Sequence, residues 1–167
     1  SVGTGTGVAT GSLSINGATV NATTVTLADR VSVVGVTSNL TLNSGTLNAG
    51  AIQRGSSAGG GGTINFTWVD GTISNQTGLN QSVNGVTPVS GLTGGLTIAL
   101  SNTGNVSGTH TWNVSGSNSA IVDSNVSLTS VGSLTKVGTG TLSLGGVNSY
   151  SGPTTVNAGT LLVKPYP

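Results

Sequence analysis

The chain contains no cysteine and no methionine, and charged side chains make up 4 % of its 167 residues, against about a quarter in ordinary soluble domains. Without cysteine there are neither disulfides nor thiolate metal sites. A net charge of +1 leaves no electrostatic footprint for nucleic acid or an anionic membrane. Glutamate is missing too, so the acids are Asp29, Asp70 and Asp123 alone. Acid–base catalysis needs titratable groups held together in a cleft, and three scattered aspartates make such a cluster hard to build. No apolar run approaches the ~20 residues of a membrane-spanning helix. The N-terminal SVGT offers neither an initiator methionine nor a signal-peptide core, so a processed form or a fragment of something longer is expected.

What the chain has is 29 glycines, abundant Ser, Thr and Asn, and 34 % hydrophobic residues dominated by Val, Leu, Ile and Ala. Disorder requires high net charge and few aliphatics, and neither holds. Branched aliphatics and threonine favour pleated strands. Apolar–polar alternation recurs along the sequence. Leu13 and Ile15 share a face, then Val25 and Leu27, then Val31 and Val33, where VGV at 34–36 shifts the parity and predicts a bulge or corner. Residues 1–11 read as an edge strand or loose end, and RGSSAGGGG at 54–62 as a loop. Ile64, Phe66 and Trp68 share one face of the best aromatic strand, and Asp70-Gly71 makes a turn. Residues 76–95 are turn-rich, and Leu96, Ile98 and Leu100 mark the next strand. No 3.6-residue periodicity persists for helical length.

The stretch at 134–163, LTKVGTGTLSLGGVNSYSGPTTVNAGTLLV, has short alternating segments punctuated by Gly, Asn, Ser and Pro, the pattern of repeated short strands. It resembles the passenger-associated repeat of bacterial autotransporters. The ordered positions are Leu134, Thr135, Lys136, Gly138, Gly140, Thr141 and Leu142, then Asn148, Tyr150 and Gly152, then Thr154, Thr155, Val156, Gly159, Thr160 and Leu161. LTLNSGTLNAG at 40–50 reads as a degenerate copy, Gly45-Thr46-Leu47 echoing Gly140-Thr141-Leu142 and Asn48-Ala49-Gly50 echoing Asn157-Ala158-Gly159. The resemblance implies a right-handed β-helix. The composition suits one: Thr, Ser, Val and Asn ladder along the faces of stacked strands, with glycine at the corners. The expected fold is all-β, a single-domain right-handed parallel β-helix (β-solenoid) over residues 1–167. Coils of ~20–25 residues give on the order of seven turns, roughly 35 Å of rod at ~4.8 Å per turn.

Asp29 and Arg30 are sequence neighbours facing opposite sides of a strand. Asp70 is expected to bond its own Asp-Gly turn, and Asp123 has no charged neighbour, so no catalytic residue is assigned. His110 and Trp112 share parity, which makes them the candidate glycan contact, a stacking Trp beside a hydrogen-bonding His. The competing reading, that both pack in or cap the core, weighs more heavily. On the glycan reading Trp112→Ala abolishes polysaccharide retention without unfolding. Lys136 is expected to point outward from the rod. Calcium nonapeptides and phosphate loops find no match, and the Thr-x-Thr pairs at Thr4, Thr109 and Thr139 are too scattered for an ice-binding array. No metal or other cofactor is expected. The eight Asn-x-Ser/Thr triplets carry little weight in a chain of this composition.

The resemblance implies an exported protein of the bacterial cell surface. The expected role is structural or adhesive: a stiff, non-enzymatic extracellular element. Its partners would be adjoining repeats of its precursor, other copies stacked head to tail or laterally into filaments, or surface glycans. Neither nucleic acid nor membrane insertion is expected. The alternative is a carbohydrate-binding or polysaccharide lyase-like β-helix.

Overall fold

The computed structural model describes residues 10–27, 37–55, 63–85, 95–101 and 108–164. The parity shift at 34–36, most of the glycine-rich loop, and Asp29, Arg30 and Pro88 lie outside them. Among the described residues the fold is all-β, and every strand pairing is parallel. One sheet orders β1 (Thr10–Ile15), β3 (Thr37–Leu42), β5 (Thr63–Trp68), β8 (Leu96–Leu100) and β11 (Val126–Thr129). The second begins with two straight nine-residue strands, β2 (Thr19–Leu27) and β4 (Thr46–Arg54). It then forks. The first half of β4 pairs with β6 (Gly71–Ser74), which leads through β9 (Thr109–Asn113) and β12 (Ser133–Val137) to β14 (Thr154–Val156). The second half pairs with β7 (Gln81–Asn84), which leads through β10 (Ser119–Val122) and β13 (Thr141–Leu144) to β15 (Thr160–Val163). The chain therefore passes each level once and returns one strand spacing further on.

Register sets the core. Parallel pairing without slippage stacks like on like. Leu13, Leu40, Phe66, Ile98 and Leu128 fall in one file, and Ile15, Leu42, Trp68 and Leu100 in the next. Across the interior, Val25, Ile52, Val83, Val122, Leu144 and Val163 form another. Most of these side chains have no exposed surface, and each fully buried aliphatic or Phe contributes about 1.5–3 kcal/mol.

Parallel sheets are ordinarily covered on both faces. Here the outer face meets solvent and is polar, because Asn and Ser side chains bond from level to level. Asn39 Nδ2 donates to Ser12 Oγ at 3.2 Å, Asn65 Nδ2 to Asn39 Oδ1 at 2.7 Å, and Asn43 Nδ2 to Asn16 Oδ1 at 2.6 Å. These ladders satisfy side chains that the pleat turns outward.

The expected coil length holds only toward the C-terminus. Register offsets are 27 and 26 residues in the first levels, reach 39 where Gly71 faces His110, then shorten to 24, 20 and 19. Among the described residues the six levels from β2 to β14 span five spacings of ~4.8 Å, roughly 24 Å, against the roughly 35 Å expected of the whole chain. Excursions such as residues 75–80, between β6 and β7, take up the difference.

Candidate functional site

The residues singled out from sequence lie together on β9 and β12, but inside the molecule. His110 and Trp112 have no exposed surface. Neither ring can lie against a sugar, so of the two readings the candidate glycan contact gives way to the core role that weighed more heavily. The cause is parity: on β9 the even positions point inward with Ile73 and Leu134 in the neighbouring strands. Trp68 packs edge-on to both rings, with centroids 5.4 Å from His110 and 5.9 Å from Trp112, a geometry favoured by the aromatic quadrupole.

The polar atoms of this cluster are all paired. Trp112 Nε1 donates to Gln81 Oε1 at 2.8 Å, and Gln81 Nε2 donates to Ala49 O and Ser74 O, each at 2.9 Å. His110 Nε2 lies 2.8 Å from Trp68 O and Nδ1 2.8 Å from Ser133 O. Both contacts run to backbone carbonyl oxygens, which only accept. His110 thus ties the levels below and above it to its own. Gly132 makes room for it: a β-carbon there would overlap His110 Cε1 and approach Leu100 O at 2.7 Å. Gly132→Ala is expected to lower stability by about 1–3 kcal/mol, the usual range for overpacking, as read from urea unfolding.

Asp70 sits in its turn as the sequence predicts, and it also reaches the next level. Its Oδ1 accepts from Gly71 N at 2.6 Å, Thr109 N at 3.0 Å and Thr109 Oγ1 at 2.8 Å. Burial alone would raise its pKa. The Thr109 hydroxyl, the two backbone N–H groups and the positive charge of His110 outweigh it, and the carboxyl lies below its ordinary 3.8. A depressed acid stabilises the fold above its unfolded pKa, and that contribution is lost as pH falls through the folded value. Asp70→Asn is therefore expected to cost about 1 kcal/mol at pH 7, a figure kept low because the carboxylate is partly in solvent. The gap from the parent chain should close below pH 3.8, which denaturant melts at pH 7 and in acid would check. Asp123 is likewise a turn carboxylate, accepting from Ser124 Oγ at 3.0 Å and Asn125 N at 3.3 Å.

Lys136 departs most from expectation. The outward lysine is fully buried, in the inward file that follows Trp112. Its Nζ donates to Val137 O and Gly138 O at 2.7 Å and to Ala158 O at 3.2 Å. Val137 closes β12, and its carbonyl also accepts from Val114 N at 3.1 Å; the other two carbonyls belong to the corners after β12 and after β14. The ammonium has three donors and fills all three places. Burial pushes its pKa below the usual lysine value.

These corners belong to residues 134–163, which match the family described as passenger-associated-transport-repeat. Residues 134–163 carry an autotransporter passenger repeat. Within it, Lys136 ties the repeat's two corners together, Gly138 and Gly159 take positive φ at them, and Tyr150 Oη pairs with Thr154 Oγ1 at 2.6 Å. No curated protein and no solved structure matches the chain. Sequence reasoning missed Gln81, whose parity with the buried Val83 on β7 was the available signal that it points inward. Among the described residues no group of three His, Cys, Asp or Glu side chains could hold a metal, and no helix is long and apolar enough to cross a membrane.

Proposed function

We propose that the chain is a right-handed parallel β-helix acting as a stiff, non-enzymatic structural or adhesive element of an exported autotransporter passenger at the bacterial cell surface. The observation that carries the reading is the passenger repeat at 134–163, stacked in register on levels that are parallel throughout. Parallel strands joined by crossovers are right-handed in nearly all proteins, which supports the right-handed sense of coiling. Asp70 and Asp123 are both occupied in turns, which supports a non-catalytic role.

The outermost strands support association along the rod. Val156 and Val163 point along the inward files of the last level yet are 45 % and 64 % exposed, and Leu13 at the opposite level is 45 % exposed. Among the described residues these end strands carry apolar files and almost no charge, without the usual barriers to strand addition. A further level from the same precursor or from a second copy would cover them. Electron microscopy and small-angle scattering over a concentration series test this: end-to-end growth of the particles is expected, and short dispersed particles at millimolar concentration would overturn self-association.

A further inference from the structure

The register places one threonine per level in a single outward file: Thr19, Thr46, Thr72, Thr111, Thr135 and Thr155. The sequence hides this file because its members stand 27, 26, 39, 24 and 20 residues apart. Beside it, two residues along each strand, runs a second outward file of Asn21, Asn48, Ser74 and Asn113. The excursion at 75–80 rises along this second file and closes one side of a cleft of about 380 Å³ lined entirely by uncharged polar residues. Its wall is fixed from within. Asn75, 3 % exposed, donates to Gln76 O and Leu79 O and accepts from Ser115 N at 2.9 Å.

The hydrogen bonds along the second file leave a definite surplus. Asn48 Nδ2 donates to Asn21 Oδ1 at 2.8 Å and Asn113 Nδ2 donates to Ser74 Oγ at 3.4 Å. That leaves Asn21 Nδ2, Asn48 Oδ1 and the whole carboxamide of Gln76, on residues that line the cleft, without a protein partner among the described residues, while Asn113 Oδ1 lies toward Gly138. Threonine hydroxyls at a ~4.8 Å repeat, next to free amide donors and acceptors, match a ligand that is itself a linear repeat of hydroxyl groups about as long as one level per unit.

We propose that this outer groove binds an uncharged polysaccharide chain lying along the stacking axis, with about one sugar ring per level. The threonine file would meet its hydroxyls, and the Asn21–Asn48 and Ser74–Asn113 pairs would hold its edge. The absence of charge selects against uronides and other acidic polymers. A rigid, preformed wall reduces the ordering cost of binding. The walled cleft and unused amides favour a glycan over ice, whose lattice needs a flat, unobstructed face. The site depends only on the outer surface and is independent of the export reading.

The test is retention of the purified chain on insoluble cellulose, chitin, β-1,3-glucan and mannan, followed by NMR titration with the tetrasaccharide of whichever retains it. Binding is expected to shift the amide resonances of residues 72–77 and 111–115. The double variant Thr72→Val/Thr111→Val, which keeps side-chain shape and removes two hydroxyls, should bind about tenfold or more weakly with an unchanged unfolding midpoint. Thr141→Val/Thr160→Val, in the outward file of β13 and β15, should bind as the parent does. Retention by none of the four polymers, or equal retention of the Thr72/Thr111 variant, would overturn the proposal. Ice shaping without glycan retention would overturn it in favour of ice.

Discussion

Replacing Lys136 with methionine should lower stability by about 2–4 kcal/mol, because it strips the ammonium from the two corner carbonyls, Gly138 O and Ala158 O, for which it is the protein donor. Val137 O keeps its bond from Val114 N at 3.1 Å. Gly138 O and Ala158 O lose the lysine proton that reaches them, and an unpaired buried carbonyl costs about 1–3 kcal/mol. Methionine preserves most of the apolar stem, so little of the loss comes from a cavity. A lysine standing outward on the rod would give a change within about 0.5 kcal/mol. Urea unfolding separates the two cases, and a lower midpoint at unchanged slope is the expected result.

Trp112→Ala should cost about 3–5 kcal/mol, the range for deleting a buried large aromatic. It opens a cavity against Trp68, whose ring centroid lies 5.9 Å away, and leaves Gln81 Oε1 without its donor. Trp112→Phe fills most of that space but still removes the indole N–H, so a smaller loss of about 1–3 kcal/mol is expected. Thermal unfolding followed by circular dichroism should rank the parent above Phe and Phe above Ala. An Ala variant as stable as the parent would mean that the ring is not in the core. The sugar-stacking reading expected that outcome, loss of polysaccharide retention without unfolding.

The first prediction arises where sequence and structure diverge, at Lys136, whereas at Trp112 the structure agrees with the core reading that the sequence favoured. Alternation identified the core files of β5 and β8 correctly, because Phe66, Trp68, Ile98 and Leu100 obey the period-two rule with apolar residues alone. The same rule places Lys136 inward, since it shares parity with the buried Leu134. Its charge argued the other way, and only the position of the corner carbonyls Gly138 O and Ala158 O beside Val137 O shows why a cation is held inside. His110 and Trp112 were found as a pair, but parity alone does not say which side of a strand is the interior.

The repeat itself was legible only in part. Thr46-Leu47 does stack in the same files as Thr155-Val156, whereas Asn157 lies beyond the paired residues of β14. The conformations nevertheless differ. Residues 48–50 continue a straight strand, whereas Asn157–Gly159 turn a corner at Gly159, with φ of 71°. The paired echo of Gly45-Thr46-Leu47 with Gly140-Thr141-Leu142 is not one of register, because Thr141 belongs to the other branch of the fork. The threonine file escaped notice for a related reason. Its period changes from level to level with the length of the excursions, and a search for a constant spacing cannot find it.

The central claim is that levels separated by variable lengths of chain stack in parallel and in register. The cysteine-free background permits a direct test by engineered cross-linking. Thr72 and Thr111 are register partners 39 residues apart, and neighbouring strands separated by ~4.8 Å bring α-carbons within disulfide reach. Thr72 and Thr135 are two levels apart, near 10 Å and beyond that reach. Mild oxidation should close the bridge in Thr72→Cys/Thr111→Cys and leave Thr72→Cys/Thr135→Cys as free thiols. Bridging of the second pair in preference to the first would contradict the stacking described here.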